Sequence, residues 1–155
     1  MPRKATNFII IHCAATTPAM THVDIEWIRN IHMKQNKWSR VGYHYFIKRD
    51  GDIQAGCPQE EPGIHAVGYN WQSVAVCMAG GIDAKGKPEN NFTPEQWVSL
   101  EEVIRDLHGD YPDAKIIGHR DTSPDLDGDG VVEKHEWMKA CPSFEVSEWL
   151  KGIEL

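Results

Sequence analysis

Two imidazoles and a thiol, His12, His119 and Cys141, could share one divalent cation if the ends of their elements converge on one edge of a sheet. Neutral imidazole and thiolate suit Zn²⁺, and three protein ligands leave a fourth position for water, the arrangement of a catalytic and not a closed structural site. The chain holds eight His and four Cys, so many triples exist and spacing alone does not select this one. A second cation is suggested by residues 125–136, DLDGDGVVEKHE. Asp125, Asp127 and Asp129 take positions 1, 3 and 5 of a twelve-residue calcium loop, with Gly130 at 6, the Val131 carbonyl at 7, Glu133 at 9 and Glu136 at the bidentate position 12. Five carboxylates this close repel one another in an ordered loop without a cation, so a structural Ca²⁺ is expected. The preceding HRDTSP contains a proline and cannot be a long entering helix, and no second loop is present for pairing, so a sensor that opens on binding is not expected.

The elements around these residues are legible. Residues 7–13, NFIIIHC, form a nearly continuous apolar run of strand length, which puts His12 at the end of a buried central strand. Residues 114–118, AKIIG, form a second short buried strand that leads into His119. Residues 43–48 and 52–55, joined by Asp50-Gly51, read as a hairpin, and residues 73–79, SVAVCMA, as another strand. Apolar residues at helical spacing predict a helix over 21–35 with Thr21 as N-cap. Thr93, Pro94 and Gln96 form a capping box with proline at the first helical position, ahead of Trp97, Leu100, Val103, Ile104 and Leu107 on one face. A last short helix is expected near residues 144–150, just after Cys141. Alternating strands and helices predict a single α/β domain over residues 1–155, with a central mixed β-sheet flanked by α-helices and the calcium loop inserted at 121–138.

Composition excludes several classes of partner. A chain of 155 residues with 41% hydrophobic content supports one domain with a real core. Its net charge of −7 and lack of clustered Lys and Arg argue against nucleic acid and against anionic membrane surfaces. No stretch is long enough to span a bilayer, and the apolar run after Arg3 and Lys4 is too short for a signal-peptide core. Cys13, Cys57, Cys77 and Cys141 show no pairing pattern, which favours free thiols or metal ligands over disulfides.

In this order, IIIHCAAT, VGYHYFIKRDG, GIHAVGYN, the glycine pair of CMAGGID, NFTPEQ, IIGHRD and KACPSF resemble the type 2 family of N-acetylmuramoyl-L-alanine amidases. The likeness is nearest to the T7 lysozyme branch of phage endolysins, more distant to peptidoglycan recognition proteins, and covers about residues 8–150. It implies cleavage of the amide between the lactyl group of N-acetylmuramic acid and L-alanine of the stem peptide in bacterial peptidoglycan. It also implies that His12, His119 and Cys141 ligate zinc, that Tyr43 and Lys139 are catalytic, and that His65, with Asn70 beside it, contacts substrate. Tyr43 and Lys139 would donate to the tetrahedral oxyanion or handle the proton passing to the leaving amine.

Related recycling amidases carry a glutamate base on the central strand where Cys77 stands here, and a buried thiol is a poor substitute, which favours the tyrosine-dependent mechanism. His44, one residue after Tyr43, should face the opposite way and serve structure. His22, His32, His108 and His135 are expected at the surface, and the tryptophans mostly in the core, with Trp71 beside the cleft. The resemblance further implies a monomer made in the host cytoplasm that reaches the wall after a holin opens the inner membrane. Two other readings are a non-catalytic peptidoglycan-binding module, disfavoured because such relatives typically lack the cysteine that Cys141 supplies, and an amidase that also inhibits a phage RNA polymerase.

Overall fold

The computed structural model describes residues 1–124 and 139–155. Five strands, β1 (Phe8–Cys13), β2 (Tyr45–Ile47), β3 (Ile53–Ala55), β4 (Ser73–Met78) and β5 (Lys115–Gly118), form one sheet in the order β3-β2-β4-β1-β5. β1 runs parallel to both β4 and β5, β4 runs parallel to β2, and β3 pairs antiparallel at the edge. The expected α/β domain with a central mixed sheet is therefore present. The middle strand is β4, and β1 lies beside it as an interior strand, whose Ile9, Ile10 and Ile11 have no exposed surface, as the unbroken apolar run requires of a strand covered on both faces.

Strand alternation distributes these residues between two layers. Ile9, Ile11 and Cys13 pack with Leu100 and Ile104 of α2 (Pro94–Asp110) and with Val146 of α3 (Val146–Gly152). Ile10 meets Ala66 and Ile117, while α1 (Ile25–Arg29) brings Ile25 and Ile28 against Phe46 and Cys77. His12 shares the Ile10 parity, so it emerges on the face that α2 leaves uncovered.

The capping box at α2 forms in full. Thr93 Oγ1 accepts the Gln96 N–H at 3.1 Å, and Gln96 Oε1 accepts the Thr93 N–H at 3.0 Å. Gln96 is fully buried, and its Nε2 donates to the carbonyls of Ala79 at 2.8 Å and Ile47 at 3.2 Å. One side chain thus starts the helix and ties it to the C-terminal ends of β2 and β4.

Four boundaries differ from the sequence reading. The helix predicted over 21–35 begins at Ile25, because Asp24 and not Thr21 caps it: Asp24 Oδ1 accepts the Trp27 N–H at 2.8 Å. From Asn30 to Gln35 it widens into a π-helical turn. β2 begins at Tyr45, so Tyr43 and His44 precede the strand, although the N–H of His44 still donates to the Ala75 carbonyl at 3.1 Å. The last helix starts at Val146, after Phe144 has packed into an aromatic cluster with Phe92, Trp97 and Trp149.

Among the described residues, no helix is long and apolar enough to cross a membrane. The calcium-loop residues Asp125, Asp127, Asp129, Val131, Glu133 and Glu136 lie outside the described residues, as does His135.

Replacing Gln96 with Leu takes the donor from the Ala79 carbonyl, leaves the Ile47 carbonyl with the Ala79 N–H alone, and removes half of the capping box. We expect Gln96→Leu to lower the unfolding free energy by about 3 kcal/mol, measured by urea titration.

Candidate metal centre

Because β1 and β5 are parallel neighbours, their C-terminal ends meet at one edge of the sheet, the usual location of sites in parallel α/β sheets. His12 lies at the end of β1 and His119 directly follows β5, with ring centroids 4.4 Å apart. Cys141 reaches the same point from the segment before α3: its backbone carbonyl accepts the Arg120 N–H at 2.8 Å, and its Sγ accepts the Cys13 N–H at 3.1 Å. One ligand atom from each of His12, His119 and Cys141 lies within 4.8 Å of the others. The three residues singled out from the sequence therefore converge.

The hydrogen bonds behind His12 decide which of its nitrogens is free. Ser73 Oγ donates its one proton to the Tyr69 carbonyl at 2.7 Å, so it must accept from His65 Nε2 at 3.0 Å. His65 Nδ1 is then the acceptor for His12 Nε2–H at 2.9 Å. This leaves the His12 Nδ1 lone pair 3.9 Å from the Cys141 sulfur. A ligand imidazole held through its other nitrogen is the usual support of a metal site.

The electrostatics suit a cation. Burial holds His12 well below the ordinary imidazole value, aided by the neighbouring His65, His119 and Lys139. It lowers His65 to about 3 and His119 to about 4, so the three rings are uncharged at neutral pH. Burial pushes the Cys141 thiol up, and the adjacent Cys13 adds to this, while the Cys13 N–H pulls the other way. A cation in bonding contact reverses that balance and removes the thiol proton. The donor set fits zinc: two neutral imidazoles and one sulfur, with a hydrogen-bonded support behind the most buried ring.

Tyr43 stands beside the ligands, its ring centroid 5.2 Å from that of His12. Burial, reinforced by the nearby cysteines, raises its phenol well above the ordinary value, so it keeps its proton and can act as a donor. Cys77 is fully buried, with its thiol likewise raised, which keeps it protonated in the wall behind Tyr43. Lys139, His119, His65 and Asn70 share the lining of a cleft of about 320 Å³, together with Trp38 and Val67. Lys139 is exposed, and its charge depresses the imidazoles of His119 and His12. A larger hollow of about 510 Å³ lies between Arg3, Asp110 and Tyr111, away from the ligand triad.

The residues around the ligands are held as follows. Asn70 Oδ1 accepts the N–H groups of His65 and Ala66 at 2.8 and 2.9 Å, so it shapes the loop that presents His65. His44 is structural, as expected: its Nδ1 accepts the Ala75 N–H at 3.0 Å and its Nε2 donates to the Glu61 carbonyl at 2.7 Å. His32 is not at the surface but 7% exposed, because Ile25, Ile28 and His32 recur on one face. His108 is half-buried, with its Nδ1 unpaired among the described residues. Trp38 lines the cleft instead of the core, and Trp71 is exposed. Ser73 had no signal of its own, since at the start of a strand it reads only as a boundary.

The N-acetylmuramoyl-L-alanine amidase family matches residues 2–143. This chain belongs to that family. It is 44% identical over 153 residues to the endolysin of Enterobacteria phage K11, covering 99% of this chain and 91% of the relative. Identity to the endolysin of Escherichia phage T7 is 40%, with the same coverage. Among solved structures, the N-acetylmuramoyl-L-alanine amidase LysC from Clostridium intestinale URNW superimposes with a TM-score of 0.73 at 26% identity, covering 97% of this chain and 86% of that one. The chain thus joins the amidase fold and phage endolysin relatives to a His, His, Cys cluster that can hold a metal ion.

Removing the Ser73 hydroxyl frees His65 to turn and releases the grip on His12 Nε2. Ser73→Ala should weaken divalent-metal affinity on the order of tenfold or more, read by competition with a chromogenic chelator.

Proposed function

We propose that this amidase is a zinc-dependent phage endolysin that cleaves the bond between the lactyl group of N-acetylmuramic acid and L-alanine of the peptidoglycan stem peptide. The observation that carries this reading is the convergence of His12, His119 and Cys141 at one sheet edge, beside Tyr43 and a cleft bordered by Lys139. Zinc, when bound, supplies the Lewis acidity that polarises an amide carbonyl and acidifies a water toward a pKa of ~7.

The chain's own groups do the rest. Tyr43, protonated at neutral pH, donates a hydrogen bond to the carbonyl oxygen as charge develops there. The Lys139 ammonium at the cleft lip stabilises the same charge and hands a proton to the departing amine of L-alanine. His65 holds His12 in its tautomer and borders the cleft, where it meets the peptide. Asn70 sets the loop on which His65 sits, and shares the lining. The reading includes a monomer that reaches the wall after a holin opens the inner membrane.

Calcium is the second ion of this reading. The loop pattern over 125–136 ends at Glu136, three residues before Lys139 and five before Cys141, so an ion that orders the loop would restrain both groups. Selective removal of calcium from zinc-loaded protein should lower both the melting temperature and turnover; unchanged values for both would remove calcium from the mechanism.

Digestion of purified peptidoglycan, followed by mass analysis of the products, tests the reaction. New N-terminal L-alanine is expected, and new reducing sugar ends in its place would refute the assignment. Cys141→Ala should abolish product release while unfolding stays cooperative, and chelation should abolish it reversibly, with zinc restoring it.

A further inference from the structure

His32 is neither a ligand nor part of the cleft lining, yet it is buried in the wall behind both Tyr43 and Trp38. It sits in the π-helical turn, and its Nδ1 accepts the Gly42 N–H at 2.9 Å. Its ring centroid is 5.3 Å from that of Tyr43 and 4.5 Å from that of Trp38, and its carbonyl accepts the Trp38 N–H at 2.8 Å.

Gly42 is held from the other side as well. The Ile64 N–H donates to the Gly42 carbonyl at 3.0 Å, and a Cβ on Gly42 would lie 2.1 Å from the Ile64 oxygen and 3.2 Å from His32 Cε1. The residue preceding Tyr43 therefore has both backbone groups bonded and no space for a side chain. The Gly42 N–H is buried, so deleting its acceptor leaves a donor that neither water nor another group can satisfy without movement. Any such movement is passed to Tyr43, one residue on. Burial lowers the His32 pKa, which keeps the Nδ1 lone pair available at neutral pH.

We propose that His32 is a positioning residue for the amidase reaction, accepting the Gly42 N–H to aim the Tyr43 phenol at the metal centre while its ring supports Trp38 as a wall of the cleft. The inference rests on the role given to Tyr43 above. It separates two contributions of one side chain: the acceptor nitrogen governs turnover through Tyr43, and the ring governs cleft shape through Trp38.

Substitutions can divide these. His32→Phe keeps a ring against Trp38 and Tyr43 but removes the acceptor, whereas His32→Asn places an amide oxygen near the position of Nδ1. On purified peptidoglycan with zinc-loaded enzyme, His32→Phe should lose kcat on the order of ten- to a hundredfold with KM little changed, since small misplacements of catalytic groups have effects of this size. His32→Asn should recover most of the lost kcat. Hydrogen exchange of the Gly42 amide should accelerate in His32→Phe and stay slow in His32→Asn, with zinc stoichiometry the same in both.

Wild-type kcat in His32→Phe, or equal losses in both variants, would overturn the proposal. Should His32→Phe fail to fold, His32→Gln serves in its place, because its acceptor lies one bond too far out, and activity in Gln equal to that in Asn would overturn the proposal too. Tyr43→Phe distinguishes the two levels of inference. Full activity there removes the role of Tyr43 and with it that of His32, whereas an inactive Tyr43→Phe beside a fully active His32→Phe refutes His32 alone.

Discussion

A buried imidazole can bind a metal only if it stays neutral and if one nitrogen is held while the other is left bare. At His12 burial meets the first condition, and the chain of hydrogen bonds running from His65 to Ser73 to the Tyr69 carbonyl meets the second. The direction of that chain is forced at its far end, because a carbonyl can only accept and a hydroxyl has one proton to give. Fixing one proton on Ser73 fixes the tautomer of two histidines, and so the free face of the first ligand. The loop at 65–70, β4 and β1 must keep their mutual register for this to hold. The sheet is therefore part of the metal site and not only its platform.

The same economy appears on the opposite layer. Gln96 joins the start of α2 to the carbonyls of Ile47, at the end of β2, and Ala79, just after β4, and the glycine pair that follows leaves room for the segment before α3. Gly81 has a φ of 101°, and a Cβ there would lie 2.5 Å from Cys13 Sγ. Ser143 Oγ donates to the Gly81 carbonyl at 2.8 Å, which ties the chain just after Cys141 to this turn. The third ligand, distant in sequence from the other two, is thus positioned by backbone contacts at the end of β4. Arg120 adds a further clamp, through its N–H to the Cys141 carbonyl and its guanidinium to Glu145 at 3.0 Å.

Burial is what makes these groups usable. A cleft open to water would leave the histidines near their ordinary pKa and Tyr43 free to ionise only at its usual range. Here low polarity holds the imidazoles uncharged and the phenol protonated, so acceptors and donors are ready before substrate arrives. Lys139 is the exception, exposed at the lip, where its charge can remain solvated until substrate covers it.

The buried strands, the capped helix α2 and the mixed α/β architecture are legible in the order of residues, because they depend on local periodicity, capping chemistry and uninterrupted apolar runs. By spacing, His12, His119 and Cys141 are one triple among many, and the likeness to the amidase family singles them out; the parallel pairing of β1 and β5 is what brings the two histidines together. Tertiary structure alone decided the rest. Ser73 acquired its role only through contact with a loop residue eight positions earlier, and His32 only because the π-helical turn carries its ring to the Gly42 N–H. Hydrogen bonds between side chains on different elements have no period along the chain, and so leave no trace in it until the fold brings the partners together.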